Sequence, residues 1–195
     1  MSRDSILKAI KQNQPELRPL PADVDFYFEQ TEAAEKFKQV LEFIGGRFVE
    51  ANNYAAVKAS LENTFPQAQR WITAIDEFSE LATLIQPGDP HELENVDVAI
   101  IKAHFGVAEN GAVWVTEDLM GARALPFITQ HLVILLNRNN IVPLMQQAYQ
   151  LIAEKDYGYA AFIAGPSKTA DIEQSLVIGA HGPRSLTVFL LDSDN

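Results

Sequence analysis

The sequence predicts a three-layer α/β/α fold around a mostly parallel sheet with one hairpin, preceded by a short N-terminal helical arm. Three observations carry this. Residues 131–136 (HLVILL), 159–164 (YAAFIA) and 186–191 (LTVFLL) are nearly continuous apolar runs, suited to strands buried on both faces. Segments with apolar residues at helical spacing alternate with such runs, as they do in βαβ units. The composition, 47% hydrophobic and 21% charged over 195 residues, is that of an ordinary globular chain. Area scaling predicts roughly 9,000 Å² exposed from roughly 31,000 Å² unfolded, so a core needs no staples.

The elements follow in order. Residues 2–13 read as an amphipathic helix with Ile6, Leu7 and Ile10 on one side, and Pro15, Pro19 and Pro21 impose an extended connector. From Thr31, Ala34, Phe37, Val40, Leu41 and Ile44 fall at helical spacing until Gly45-Gly46 stops the run. A strand is predicted at 47–51, a helix at 54–63, a strand at 69–75, and a helical turn or two at 77–85 before Pro87-Gly88-Asp89-Pro90. Strands then fall at 96–103 and 112–116, and the Asn110-Gly111 pair between them signals a hairpin. Residues 142–153 place Leu144, Ala148, Leu151 and Ile152 on one helical face, and a short helix is predicted around 170–176. Trp71 and Trp114 fall inside strand patterns and belong to the core.

Charge and composition exclude several functions. The chain has 15 basic and 26 acidic residues, a net −11, and no three consecutive basic residues, which disfavours nucleic acid. Dividing it after Asp97 gives 9 basic and 17 acidic residues, then 6 and 9, so an anion-binding surface belongs in the second half. There is no cysteine, hence no disulfide, thiol nucleophile, Cys-based zinc site or self-ligated iron–sulfur cluster. The first twenty residues lack an apolar leader core, and the longest aliphatic run, 132–136, is too short to cross a bilayer. A cytoplasmic chain without membrane insertion is expected.

Three stretches can carry chemistry. Residues 164–173 (AGPSKTADIE) follow a buried strand and precede the predicted helix, a junction where α/β sheets place ligands. Gly165 and Pro166 fix a turn, Ser167 or Thr169 can cap the helix, and Lys168 adds a positive charge for an anion. Plain capping explains the same residues, with Asp171 and Glu173 in the first turn. The stretch is not a P-loop. Residues 179–183 (GAHGP) place His181 between glycines, either as acid, base or donor or as a turn histidine. Ser167, Asp171 and His181 lie within 15 residues but lack the G-x-S-x-G elbow of a hydrolase. Residues 104–111 (HFGVAENG) put Glu109 at the hairpin tip, as base, nucleophile, metal ligand or solvated turn residue. Arg123 and Arg184 flank apolar strands and can clamp a carboxylate or phosphate, or pair with acidic neighbours. His91, His104 and His131 show no metal spacing, and no metal site is expected.

Taken in order, F-G-V-A-E-N-G-A at 105–112, G-P-S-K-T-A-D-I-E at 165–173 and G-A-H-G-P at 179–183 resemble the lactate-utilisation protein C family, or LUD domain. The resemblance spans residues 97–191 and departs from the family's hydroxyl residues at Asn110 and Ala112. It implies a fold like that of the ribose-5-phosphate isomerase, glucosamine-phosphate deaminase and CoA-transferase group. One LUD-like domain over 1–195 is expected, with helix and Pro-rich connector at 1–22 and the α/β core at 23–195. The resemblance also implies a part in oxidising L-lactate to pyruvate beside iron–sulfur oxidoreductase subunits, with the clusters held only by those partners. In this picture Glu109 and His181 are catalytic. Gly165, Ser167, Lys168, Thr169, Asp171, Arg123 and Arg184 bind a small anion or nucleotide at the strand tips. Two other readings stand beside it. One is a stand-alone acyl- or CoA-transfer enzyme in which Glu109 is the nucleophile, because Glu109-Asn110-Gly111 looks like the E-x-G turn of CoA transferases. The other is a purely structural subunit.

Overall fold

The apolar runs at 131–136 and 186–191 form the centre of the molecule. In the computed structural model, which describes residues 2–19, 32–153, 155–170 and 176–192 (backbone alone at 169, 170, 176 and 177), they lie inside a six-stranded parallel sheet. Helix α1 (Arg3–Gln12) starts at Ser2, whose hydroxyl accepts from the Ser5 N–H, and buries none of its residues. Helix α2 (Ala33–Phe43) buries Ala33, Phe37 and Leu41 and leads into strand β1 (Arg47–Ala51). Asn53 caps helix α3 (Tyr54–Thr64), accepting from the Ala56 N–H at 2.9 Å. Strands β2 (Trp71–Thr73) and β3 (Thr83–Leu84) pair in parallel around a 3₁₀ turn at Asp76–Phe78. Strand β4 (Val98–Lys102) then enters the sheet beside β2.

A second sheet follows. Strands β5 (Phe105–Val107) and β6 (Ala112–Thr116) form the hairpin, and helices α4 (Glu117–Met120) and α5 (Leu125–Ile128) lead back to strand β7 (His131–Asn137). Strand β8 (Ile141–Val142), helix α6 (Met145–Ile152) and strand β9 (Ala160–Ile163) complete the second sheet, in the order β8-β5-β6-β9. Strands β10 (Lys168–Ala170) and β11 (Leu176–Ile178) pair antiparallel, and β12 (Ser185–Leu191) returns between β1 and β7.

The large sheet runs β1-β12-β7-β4-β2-β3, and every pairing in it is parallel. Alternation along its strands divides the core. Ala99, Ile101, Leu132, Ile134, Leu136, Val188 and Leu190 pack with α2 and the inner face of the second sheet. Val98, Ile100, Val133, Leu135, Phe189 and Leu191 pack with α3 and Phe78. Both faces are thus covered, which is why the interior positions of β4, β7 and β12 are apolar apart from Thr187. The expected α/β fold with a mostly parallel, helix-flanked sheet is present. On one side the second sheet shares the covering layer with α2, and α6 packs on its outer face through Ala148 against Phe105, Val107 and Trp114.

Several elements differ from the sequence expectation. The hairpin pairs β6 with the three-residue β5, because β4 is taken up between β2 and β7. The predicted helical segment at 77–85 is a 3₁₀ turn followed by β3. Strand β9 is an edge strand and half-buried throughout. The predicted helix around 170–176 is replaced at both ends by strand: Ala170 faces Leu176 in a ladder that also pairs Lys168 with Ile178. Asp171 and the rest of 171–175 lie outside the described residues, as does Pro21. The accessible surface, 12616 Å², exceeds the area that scaling predicts, and the unpacked α1 contributes to the excess.

Candidate functional site

Parallel α/β sheets bind ligands beyond the carboxyl ends of their strands, where loops diverge and backbone groups are free. At that edge β4 ends on Lys102, β7 on Asn137 and β12 on Leu191, with Lys102 in register with Leu135 and Asn137 with Leu191. A cavity of about 220 Å³ opens there, lined by Tyr54, Lys102, His104, Asn137 and Asn140 above Leu135 and Leu191. Tyr54 opens α3, so the Asn53 cap fixes its backbone, and its ring meets Phe78 edge-on at 5.4 Å. The Tyr54 hydroxyl is buried and has no hydrogen-bond partner among the described residues. Lys102 Nζ stands 5.4 Å above the Tyr54 ring and 4.0 Å from a Glu77 carboxylate oxygen. Asn137 Oδ1 accepts from the Asn139 N–H, which turns the chain after β7 and leaves the Asn137 amide nitrogen as a donor.

His104 separates this cavity from a second one of about 450 Å³, lined by Trp114, Thr116, Asp118, Lys155 and Tyr157. A relay of hydrogen bonds runs along the dividing wall. The Thr116 hydroxyl donates to Asp118 and therefore accepts from His104 Nε2, 2.6 Å away. Burial holds the His104 imidazole below the usual histidine range; Asp118 pulls it back up and Lys155 pushes it further down. The Thr116 hydrogen bond keeps the Asp118 carboxyl below the usual carboxylate range. The outcome is an uncharged ring with Nε2 protonated and Nδ1 carrying the lone pair, an arrangement suited to accepting a proton or a hydrogen bond. Arg123 joins this neighbourhood, but its charge is taken up by Glu117 at 2.6 Å while it lies 5.7 Å over the Tyr159 ring.

The residues singled out in the sequence are distributed differently. Glu109 is exposed at the hairpin tip and its carboxylate accepts from the Met145 N–H at 2.8 Å, which places it on the first residue of α6. Asn110, the departure from the family pattern, folds its side chain back to accept from the Ala112 N–H at 3.0 Å and so stabilises the turn. Ser167, Gly179, Gly182 and Arg184 form a cluster with His181 exposed beside them in the chain, and Gly165 and Gly111 of the hairpin turn both approach the Ile44 side chain. The Ser167 N–H donates to Pro183, the Gly179 N–H donates to Ser167, and a Cβ at Gly182 would lie 3.0 Å from the Ser167 Cβ. A Cβ at Gly45 would come within 3.4 Å of Lys168 Nζ, and one at Gly165 within 3.0 Å of the Ile44 carbonyl. This cluster therefore packs on the end of α2, at the amino edge of the large sheet.

Arg184 lines a third cavity at that edge, about 480 Å³, with Arg47, Phe65, Asp97, His131 and Ser185. His131 Nδ1 lies 2.8 Å from the Ser185 hydroxyl, with its ring 4.8 Å from Phe65. Burial, aided by Arg184, lowers the His131 pKa, and N–H donors from Arg70 and Gln69 lower that of Asp97. Arg123, paired with Glu117 beside the 450 Å³ cavity, makes no contact with the Ser167–Arg184 cluster among the described residues. The side chain of Thr169 and all of Asp171 lie outside the described residues. Among the described residues no three His, Asp or Glu side chains gather as a metal would need, and no helix is long and apolar enough to cross a membrane.

Sequence reasoning missed Tyr54, Lys102, Asn137 and Asn140, and read His104 as packed or hydrogen-bonded, the second of which its contact with Thr116 shows. A signal existed for Lys102, a lone cation closing the buried run VDVAIIKA. Tyr54 reads as one more apolar helix residue, and only the fold brings it over the ends of β4 and β12.

Comparison with known proteins follows the same division. The model of the LUD domain matches residues 90–191, the half that holds β4 to β12. The "Lactate utilization protein C" of Anoxybacillus flavithermus is 28% identical over 201 residues, which cover 91% of this chain and 89% of that protein. Its namesake from Bacillus pumilus is 30% identical over 107 residues, 52% of this chain, and the match spans less than half, 45%, of that protein. A crystal structure of a DUF162 family protein from Deinococcus radiodurans superposes with a TM-score of 0.66 over 85% of this chain and 99% of that one. At 17% identity that likeness shows the fold alone.

Proposed function

This chain belongs to the LUD-domain family, and from that premise we propose that it is a cytoplasmic component of a lactate-utilisation system. It takes part in oxidising L-lactate to pyruvate and binds a small anionic ligand. The observation that carries the role is the alignment with the Anoxybacillus lactate utilization protein C along nearly the whole of both chains. The electrons leave lactate through other subunits. With no cysteine, this chain offers no thiolate to an iron–sulfur cluster, so cluster-bearing oxidoreductase partners complete the reaction. The uncharged His104, held by Thr116 and Asp118, supplies a proton acceptor beside two cavities at the edge where α/β folds hold substrates.

Two experiments test this reading. Deleting the gene in its source strain abolishes or slows growth on L-lactate while growth on glucose is unchanged, and the intact gene restores it. Unaltered growth on L-lactate would overturn the role. Purification of the tagged chain from its native locus, anaerobically and under reducing conditions, recovers cysteine-rich partners; their absence would remove the complex from the proposal.

A further inference from the structure

We propose that the 220 Å³ cavity over the ends of β4, β7 and β12 is a binding site for a short-chain monocarboxylate, held by Lys102, the Tyr54 hydroxyl and the amides of Asn137 and Asn140. The proposal deepens the lactate reading, resting on it only for the choice of a 2-hydroxy acid among such ligands. Two independent features point to a ligand. Tyr54 is 8% exposed, and its buried hydroxyl has no partner among the described residues. An orphaned buried hydroxyl is costly and is retained where something else completes it. Thr187 carries a second such hydroxyl, but it lies inside the sheet and lines none of the three cavities. The second feature is position: the cavity stands at the carboxyl ends of three adjacent parallel strands.

The chemistry of the lining selects the ligand. Lys102 supplies one positive charge, which Glu77 at 4.0 Å already partly balances, so a monoanion is favoured over a dianion such as phosphate. Tyr54 and the two asparagines add neutral donors suited to carboxylate oxygens, and the uncharged His104 ring accepts from a hydroxyl on the neighbouring carbon. A volume below the usual range for drug-sized ligands leaves no room for a nucleotide.

Calorimetric titration of the full chain at constant ionic strength tests this, with sodium L-lactate, pyruvate and acetate as probes and inorganic phosphate as the dianion. Saturable binding of at least one of the three monocarboxylates is expected, with phosphate weaker. Tyr54→Phe weakens it about tenfold, the loss of one hydrogen bond to a charged group. Lys102→Met weakens it more. Without ligand, Tyr54→Phe melts at the same temperature as the wild type or higher, because it removes an unpaired hydroxyl. A lower melting temperature for Tyr54→Phe would reveal an internal partner and overturn the proposal. So would absence of monocarboxylate binding, or binding that both variants retain. If acetate binds like lactate, both variants lose it, and a Tyr54→Phe strain still grows on L-lactate, the site stands and the lactate reading falls.

Discussion

The E-N-G turn at the hairpin tip contains a glycine whose replacement has a calculable cost. Gly111 sits at φ +68°, and a Cβ there would lie 3.0 Å from the Leu41 amide nitrogen and 3.1 Å from its Cα. Both are backbone atoms in the interior of α2, and Leu41 is fully buried, so the helix cannot yield as a flexible side chain would. Gly111→Ala therefore carries two penalties: about 1–2 kcal/mol for the left-handed conformation and about 1–3 kcal/mol for overpacking. Stiffening of the unfolded chain offsets about 0.5 kcal/mol, leaving a net loss of about 2–4 kcal/mol. Gly111→Asn removes most of the conformational part, since asparagine tolerates this region, and retains the steric part of about 1–3 kcal/mol. Urea unfolding reads both as a lower midpoint at unchanged slope. A loss below about 1 kcal/mol for Gly111→Ala would refute the claim that α2 leans on this turn.

Other outcomes follow from the same geometry. The His104 and His131 pKa values are lowered by burial, so the neutral rings favour the fold and their contribution is complete above about pH 6.5, the unfolded value. Stability accordingly falls as pH drops below 6.5, and again below the ordinary carboxylate value as Asp97 and Asp118 protonate; a urea midpoint constant from pH 7 to 5 would contradict this. Glu109→Ala removes the acceptor for the Met145 N–H and costs about 1 kcal/mol, with Glu109→Gln milder. Incubation with acyl-CoA followed by hydroxylamine leaves the Glu109 peptide unmodified, and an adduct there would favour the transferase reading instead. Arg138→Ala cuts the bonds to Glu50 at 2.9 Å and Asp192 at 2.8 Å that tie β1, β7 and β12. Both acidic partners are exposed, so the cost is about 1 kcal/mol or less and shrinks in 1 M salt.

How far the sequence spoke depended on whether local pattern or tertiary pairing set each element. β7 and β12 are legible because burial on both faces makes their interiors nearly continuous apolar runs, and α2 because Gly45-Gly46 ends a clear helical stripe. β3, β5 and β8 span two or three residues each, and a ladder partner elsewhere in the chain creates them. The stretch K-T-A-D-I-E carries helix-start residues, yet Lys168–Ala170 pairs with Leu176–Ile178, a choice that local propensity does not contain. The site divides in the same way. Motif residues at 109–111 and 165–184 stand out by their glycines, and the glycines are there to let α2 and neighbouring loops approach. Tyr54 and Lys102 belong to ordinary helix and strand patterns forty-eight positions apart, and only the sheet order brings them to one cavity.

The most direct measurement is a map of backbone amide shifts in the isotope-labelled full chain as L-lactate or pyruvate is added. A ligand at the carboxyl edge moves the amides of Lys102–His104, Asn137–Asn140 and Tyr54 together along one saturation curve. Shifts confined to Gly165–Lys168 and Gly179–Arg184, or none anywhere, would contradict it.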